Sequence, residues 1–137
     1  MLETEEKKLR LHVIASGSKG NCSIVENLET GSLVVIDCGI SKKAVMEGCR
    51  ACGIDPSRVE AILVTHEHSD HVKGLGVLTR GLAKLGAAPS LYVSAAVHDA
   101  SADIKAIENA VDVRHFRDGD DLTVGGIAVH AFATSHD

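Results

Sequence analysis

The sequence predicts a layered α/β (or α+β) domain, and two observations predict it. Strand-like segments come first, strand and helix then alternate, and strand-like segments return at the end. Apolar residues make up 45% of the 137 residues, enough for one sizeable core in one domain, residues 1–137. That core must be aliphatic, because Tyr92, Phe116 and Phe132 are the only aromatic side chains besides histidine.

After a charged leader, residues 9–15 alternate as a strand. The dense turn signal Ser16-Gly17-Ser18-Lys19-Gly20-Asn21 follows, then a strand over 22–26. Glu29-Thr30-Gly31 reads as a hairpin turn into residues 32–37, apolar on both faces and therefore a buried strand. Ser41 is the N-cap of a helix through Cys52, closed by Gly53 and Pro56. Residues 59–65 form another buried strand. A helix is expected over 70–85 with Gly86 as its stop, a short strand over 91–93, and helix over 95–110. Strand structure is expected again over 111–116 and 122–124, then, past a Gly125-Gly126 turn, over 127–135.

Composition narrows the function classes. A net charge of −5 argues against a bulk electrostatic binder of nucleic acid, although bound divalent cations would reverse the field locally. No stretch approaches the ~20 apolar residues of a membrane span, so no membrane partner is expected. The charged start has no apolar segment of an export signal. Cys22, Cys38, Cys49 and Cys52 are then expected as thiols in a cytoplasmic protein.

The chemistry concentrates in Thr65-His66-Glu67-His68-Ser69-Asp70-His71, delivered by the strand before it. Neutral imidazole suits zinc and other first-row metals, and carboxylate adds a harder ligand. In an extended segment residues i and i+2 point the same way, so His66 and His68 are suited to grip one ion. If a helix starts next, Asp70 and His71 project from its first turn toward a second. The alternative His-Glu-x-x-His zinc motif fails, because Asp70 stands at its second histidine position.

His66-x-His68-x-Asp70-His71 after an apolar strand resembles the signature of the metallo-β-lactamase superfamily. Within it the chain is similar to the YycJ/WalJ-like group, relatives of ribonuclease Z. The matching pieces are residues 15–21, 37–43, 65–78 and 135–137. The resemblance implies the first half of an αββα sandwich, with His136 as a further metal ligand. It also implies two divalent ions in the complete site, zinc or alternatively manganese, with Asp70 on the second ion and able to orient an attacking hydroxide. Asp37 becomes a brace for the histidine loop, and Ser18, Gly20 and Asn21 a nest for a substrate phosphate. The superfamily adds a bridging aspartate and a last histidine from its second half, so the chain is expected to be the N-terminal portion of a longer protein.

The activity so implied is metal-dependent hydrolysis of phosphodiesters by hydroxide activated at the dinuclear site, as in a DNA exonuclease. Two alternatives stay open: a thioesterase of the glyoxalase II kind, and a non-catalytic metal-binding module. The remaining histidines, His12, His98, His115 and His130, read as surface or hydrogen-bonded side chains. Cys49-x-x-Cys52 has no second pair and reads as structural thiols.

Overall fold

The computed structural model describes residues 8–134. A six-stranded mixed sheet runs in the order β1 (Leu9–Ala15), β2 (Cys22–Asn27), β3 (Leu33–Ile36), β4 (Val59–Leu63), β5 (Ser90–Ser94), β6 (Val113–Phe116). The first three strands pair antiparallel, and β3 to β6 pair parallel.

Each parallel step needs a crossover, and the crossovers are helical: α1 (Lys42–Cys52), then α2 (Ser69–Val72) with α3 (Leu75–Lys84), then α4 (Ala95–Ala100) with α5 (Ala102–Lys105). The strand order advances in one direction, so crossovers of one hand put every helix on the same face. Leu33, Val35, Ile62, Val64, Leu91 and Val93 point to that face and bury themselves against Val45, Leu75, Leu78, Leu82 and Ile104. The opposite face receives a separate hairpin, β7 (Asp121–Val124) and β8 (Ile127–His130). Its Val124 and Ile127 pack on Val34 and Ala61. The β3 strand is thus covered on both sides, which is why its sequence shows no polar face.

The expected caps of α1 are present. Ser41 Oγ accepts from Ala44 N at 3.1 Å, and Gly53 ends the helix in the left-handed region at φ 68°. The Gly125-Gly126 turn takes positive φ at both positions, as a two-residue hairpin loop demands. Asn27 Nδ2 donates to Gly125 O at 3.1 Å, fastening the hairpin tip to the end of β2.

Three expectations are corrected. The helix expected over 70–85 is two helices, interrupted at Lys73 and Gly74. The Gly74 N–H that would bond Asp70 O donates instead to Cys38 O at 2.9 Å, while Asp70 O accepts from Asn21 N at 2.7 Å. One helical hydrogen bond has been exchanged for two long-range ones. The helix expected over 95–110 ends at Ala100, because Ser101 is extended (φ −101°, ψ 112°) and its Oγ caps a new short helix at Ile104 N, 3.1 Å away. The last strand, expected over 127–135, ends at His130. Residues 131–134 continue without regular structure.

Among the described residues no helix is long and apolar enough to cross a membrane. Cys22, Cys38 and Cys49 are buried free thiols, and Cys52 is an exposed one.

Candidate metal centre

Parallel strands that share one crossover hand also share one functional edge, where their C-terminal ends release the chain. Asp37 follows β3 there, and Thr65 and His66 follow β4. Asp37 is 5% exposed and sits at φ 60°, a left-handed conformation that a non-glycine residue adopts only under constraint. The constraint is visible. Its backbone N–H donates to Leu63 O at 2.8 Å, and its Oδ1 accepts from Thr65 N at 2.7 Å. Its Oδ2 accepts from Thr65 Oγ1 and lies 2.8 Å from His71 Nδ1.

With Asp37 holding Nδ1, the other ring nitrogen of His71 lies 3.6 Å from Asp70 Oδ2. The ring of His66 stands 4.6 Å from that of His71 and 5.9 Å from that of His68, centroid to centroid. His66 Nδ1 is 2.8 Å from Thr65 Oγ1. His68 occupies the N-cap position of α2 in an extended conformation, and Asp70 and His71 lie in that helix's first turn. Ligand atoms of Asp37, His66 and His71 lie within 4.8 Å of one another, so these three also make a compact set of potential cation ligands. Both Asp37 oxygens are already engaged by Thr65 and His71, however, which suits a bracing role better than a ligand role. The donor set fits a divalent transition metal: imidazoles face one another, one carboxylate lies among them, and a second carboxylate orients a ring from behind.

The glycine-rich loop reaches this cluster from the side. Asn21 Nδ2 donates to Asp70 Oδ2 at 3.1 Å, to Asp70 O at 3.3 Å and to Gly17 O at 2.9 Å. Lys73 Nζ donates to Lys19 O at 2.7 Å. The backbones of three segments meet with almost nothing between them: Gly39 N donates to Asn21 O at 2.9 Å, and Cys38 N to His71 O at 2.8 Å. A Cβ on Gly39 would stand 1.8 Å from Asp70 O, so only glycine fits there.

The structure thus gathers His66, His68, Asp70 and His71 with Asp37, and adds Asn21 to them. Gly20 is buried, and a Cβ on it would stand 2.5 Å from Gly39 O; Ser18 is exposed at the loop tip. His136 lies outside the described residues. Sequence reasoning gave no role to Thr65, which links Asp37 to His66; a hydroxyl directly before the first histidine was the available signal.

A cavity of about 650 Å³ opens beside His66, between the main sheet and the hairpin. Its walls are largely apolar and include Leu63, Phe116, Leu122 and Phe132.

Comparison with known proteins bears on this geometry. A family model described as the metallo-beta-lactamase superfamily matches residues 15–137. The exodeoxyribonuclease YycJ of Bacillus anthracis is 39% identical over 132 residues, covering 94% of this chain and 46% of that protein. The exodeoxyribonuclease WalJ of Streptococcus pneumoniae is 37% identical over 128 residues, covering 91% and 45%. A ribonuclease Z of Methanopyrus kandleri is 30% identical over 109 residues, covering 78% and 37%. Among solved structures, the Rm3 metallo-beta-lactamase superposes with a TM-score of 0.63 at 26% identity, covering 94% of this chain and 52% of that one. The chain spans about half the length of these relatives or less.

Proposed function

The chain belongs to the metallo-beta-lactamase superfamily, and from that premise we propose that it forms the metal-binding half of a hydrolase that cleaves phosphodiester bonds in DNA. The observation that carries this reading is the 39% identity to an exodeoxyribonuclease over a match that covers 94% of the chain.

In the proposed site His66, His68 and Asp70 hold divalent cations together with His71, and His136 joins them. Two such ions, zinc or manganese, supply Lewis acidity to the phosphate and lower the pKa of water. The chain's own residues do the positioning. Asp37 sets the tautomer and angle of His71 through Nδ1, and Thr65 ties that carboxylate to His66. Asn21 fixes Asp70 Oδ2, the oxygen that lies 3.6 Å from His71 Nε2. Ser18, at the exposed tip of the loop, offers a hydroxyl to a substrate phosphate; Gly20 serves by letting that loop lie close to Gly39.

A second reading, RNA as the substrate, is favoured by the match to ribonuclease Z. The discriminating experiment incubates metal-loaded full-length protein with end-labelled duplex DNA, a transfer-RNA precursor and a thioester. Stepwise shortening of DNA, lost in His68→Ala, is expected. Thioester hydrolysis with both nucleic acids intact would overturn the proposal, and RNA cleavage alone would replace it with the second reading.

A further inference from the structure

Away from the histidine cluster, a second group of metal-ligating side chains comes together where a side chain of α4 meets one of β6. His98 of α4 and His115 of β6 face each other, with Nδ1 of the first 2.8 Å from Nε2 of the second. Behind His98, its Nε2 lies 2.7 Å from Glu108 Oε2, in the turn that follows α5. The rings meet edge to face, 5.1 Å between centroids and 70° between planes. His98 keeps 17% of its side chain exposed and Glu108 40%, so solution ions have access. His115 pairs in register with Val93 of β5, which puts it on the helix-covered side of the sheet, across from α4.

We propose that His98 and His115 form an accessory site for a divalent transition-metal ion of the zinc class, distinct from the cluster at His66. The carboxylate of Glu108 accepts a hydrogen bond only from a protonated Nε2, and this leaves Nδ1 of a neutral His98 as a lone pair aimed at His115. A carboxylate behind an imidazole that faces a metal is the arrangement that fixes ring orientation and raises ligand basicity. Asp37 and His71 repeat it at the main cluster, there through Nδ1 rather than Nε2.

The spacing is compatible with an ion. Zinc–imidazole bonds of about 2.0–2.1 Å in a tetrahedral frame separate two ligand nitrogens by roughly 3.4 Å. The observed pair needs to open by about half an ångström, within reach of a small ring rotation. The proton on His115 Nε2 must leave that nitrogen as the ion takes its place, His115 becoming its Nδ1–H tautomer. Two protein nitrogens leave the other positions to water, so the ion exchanges readily and is weaker than one held by three or four side chains. Binding would join α4, backed by Glu108 in the turn after α5, to edge strand β6. The site does not depend on the proposed nuclease reading.

The test compares zinc content and zinc titrations of the full-length protein with its His98→Gln, His115→Gln and Glu108→Gln variants. Imidazole nitrogen signals are followed by NMR, and melting in a chelator serves as the control for folding. The expected result is one exchangeable ion fewer per chain in both histidine variants. Glu108→Gln should weaken that ion about 10–100-fold, and zinc should shift the His98 and His115 signals in wild type. Wild-type melting in the chelator would attribute the loss to ligands rather than to fold. Unchanged zinc content in both histidine variants, with both imidazole signals unmoved by zinc, would overturn the proposal and leave the trio as a hydrogen-bonded relay alone.

Discussion

His71 and Asp37 are joined at 2.8 Å through Nδ1 and Oδ2, and this one contact orients a ring whose far nitrogen lies 3.6 Å from Asp70. Asp37→Asn preserves the shape and tolerates the left-handed backbone at φ 60°. It removes the charge behind His71. Metal affinity should fall about 10–100-fold while the fold persists, as measured by competition with a chromophoric chelator and by circular dichroism. Retention of wild-type affinity would show that the carboxylate does not tune the ring.

Asn21 tests the link between the glycine-rich loop and the metal cluster. Asn21→Ala loses its bonds to Asp70 and Gly17 and should cost about 1–2 kcal/mol in urea unfolding. Asn21→Asp sets a second carboxylate against Asp70 Oδ2, 3.1 Å away in the wild type. It should be the less stable of the two without metal and recover more stability on zinc addition. Equal urea midpoints for both variants in chelator would count against the contact.

Gly39→Ala would drive a methyl group into Asp70 O, a backbone atom that cannot turn aside. A loss of about 3 kcal/mol or more is expected. Gly76→Ala is the control, because its new Cβ meets nothing closer than 3.5 Å and it lies inside α3. That variant should be neutral or stabilised by about 0.5–1 kcal/mol. Similar denaturation midpoints for the two would refute the close approach.

Much of this architecture could be read from the chain, and the misses at Gly74, Asn21 and His115 share one cause. The alternation in β1, the double-sided burial of β3, Ser41 and Gly53 at the ends of α1, and Gly125-Gly126 are all local signals. The cluster from His66 to His71 is equally local. The break at Lys73 and Gly74 is not, since Leu75, Leu78 and Leu82 keep helical spacing through α3 and nothing near Gly74 announces Cys38 as its partner. Asn21 reaches Asp70 across 49 positions, and His115 reaches His98 only because β6 lies beside β5. Periodicity reports which face of an element is apolar; it does not report which backbone groups will leave their own element for a tertiary partner.

Alkaline pH should destabilise the protein through the buried Cys49 thiol. Burial pushes the Cys49 thiol up to about 11 from 9.0, with Cys52 and Asp55 adding to the shift. The Cys22 thiol is raised as well, by its hydrogen bond with Cys38 and, added to that, by burial. A raised folded value means that the native state holds its proton after the unfolded state has released it. The stabilisation from Cys49 is therefore complete below pH 9 and is lost as pH rises through 11. Over that window urea unfolding should weaken by about 1–2 kcal/mol, and Cys49→Ala should flatten the slope. Below pH 9 an alkylating reagent should label Cys52 alone, since Cys49 is buried.

The close meeting of Asn21, Gly39 and Asp70 has a dynamic consequence. With no side chain cushioning these backbones, none of the three segments can loosen while the other two stay closed. The amides of Asn21, Cys38, Gly39 and Gly74 all bond across these segments or to their immediate neighbours. In hydrogen exchange they should open together, as one cooperative unit, rather than fraying separately as loop amides do. A ligand that quiets the histidine loop would then slow exchange in the first hairpin too, although that hairpin contributes no histidine to the cluster.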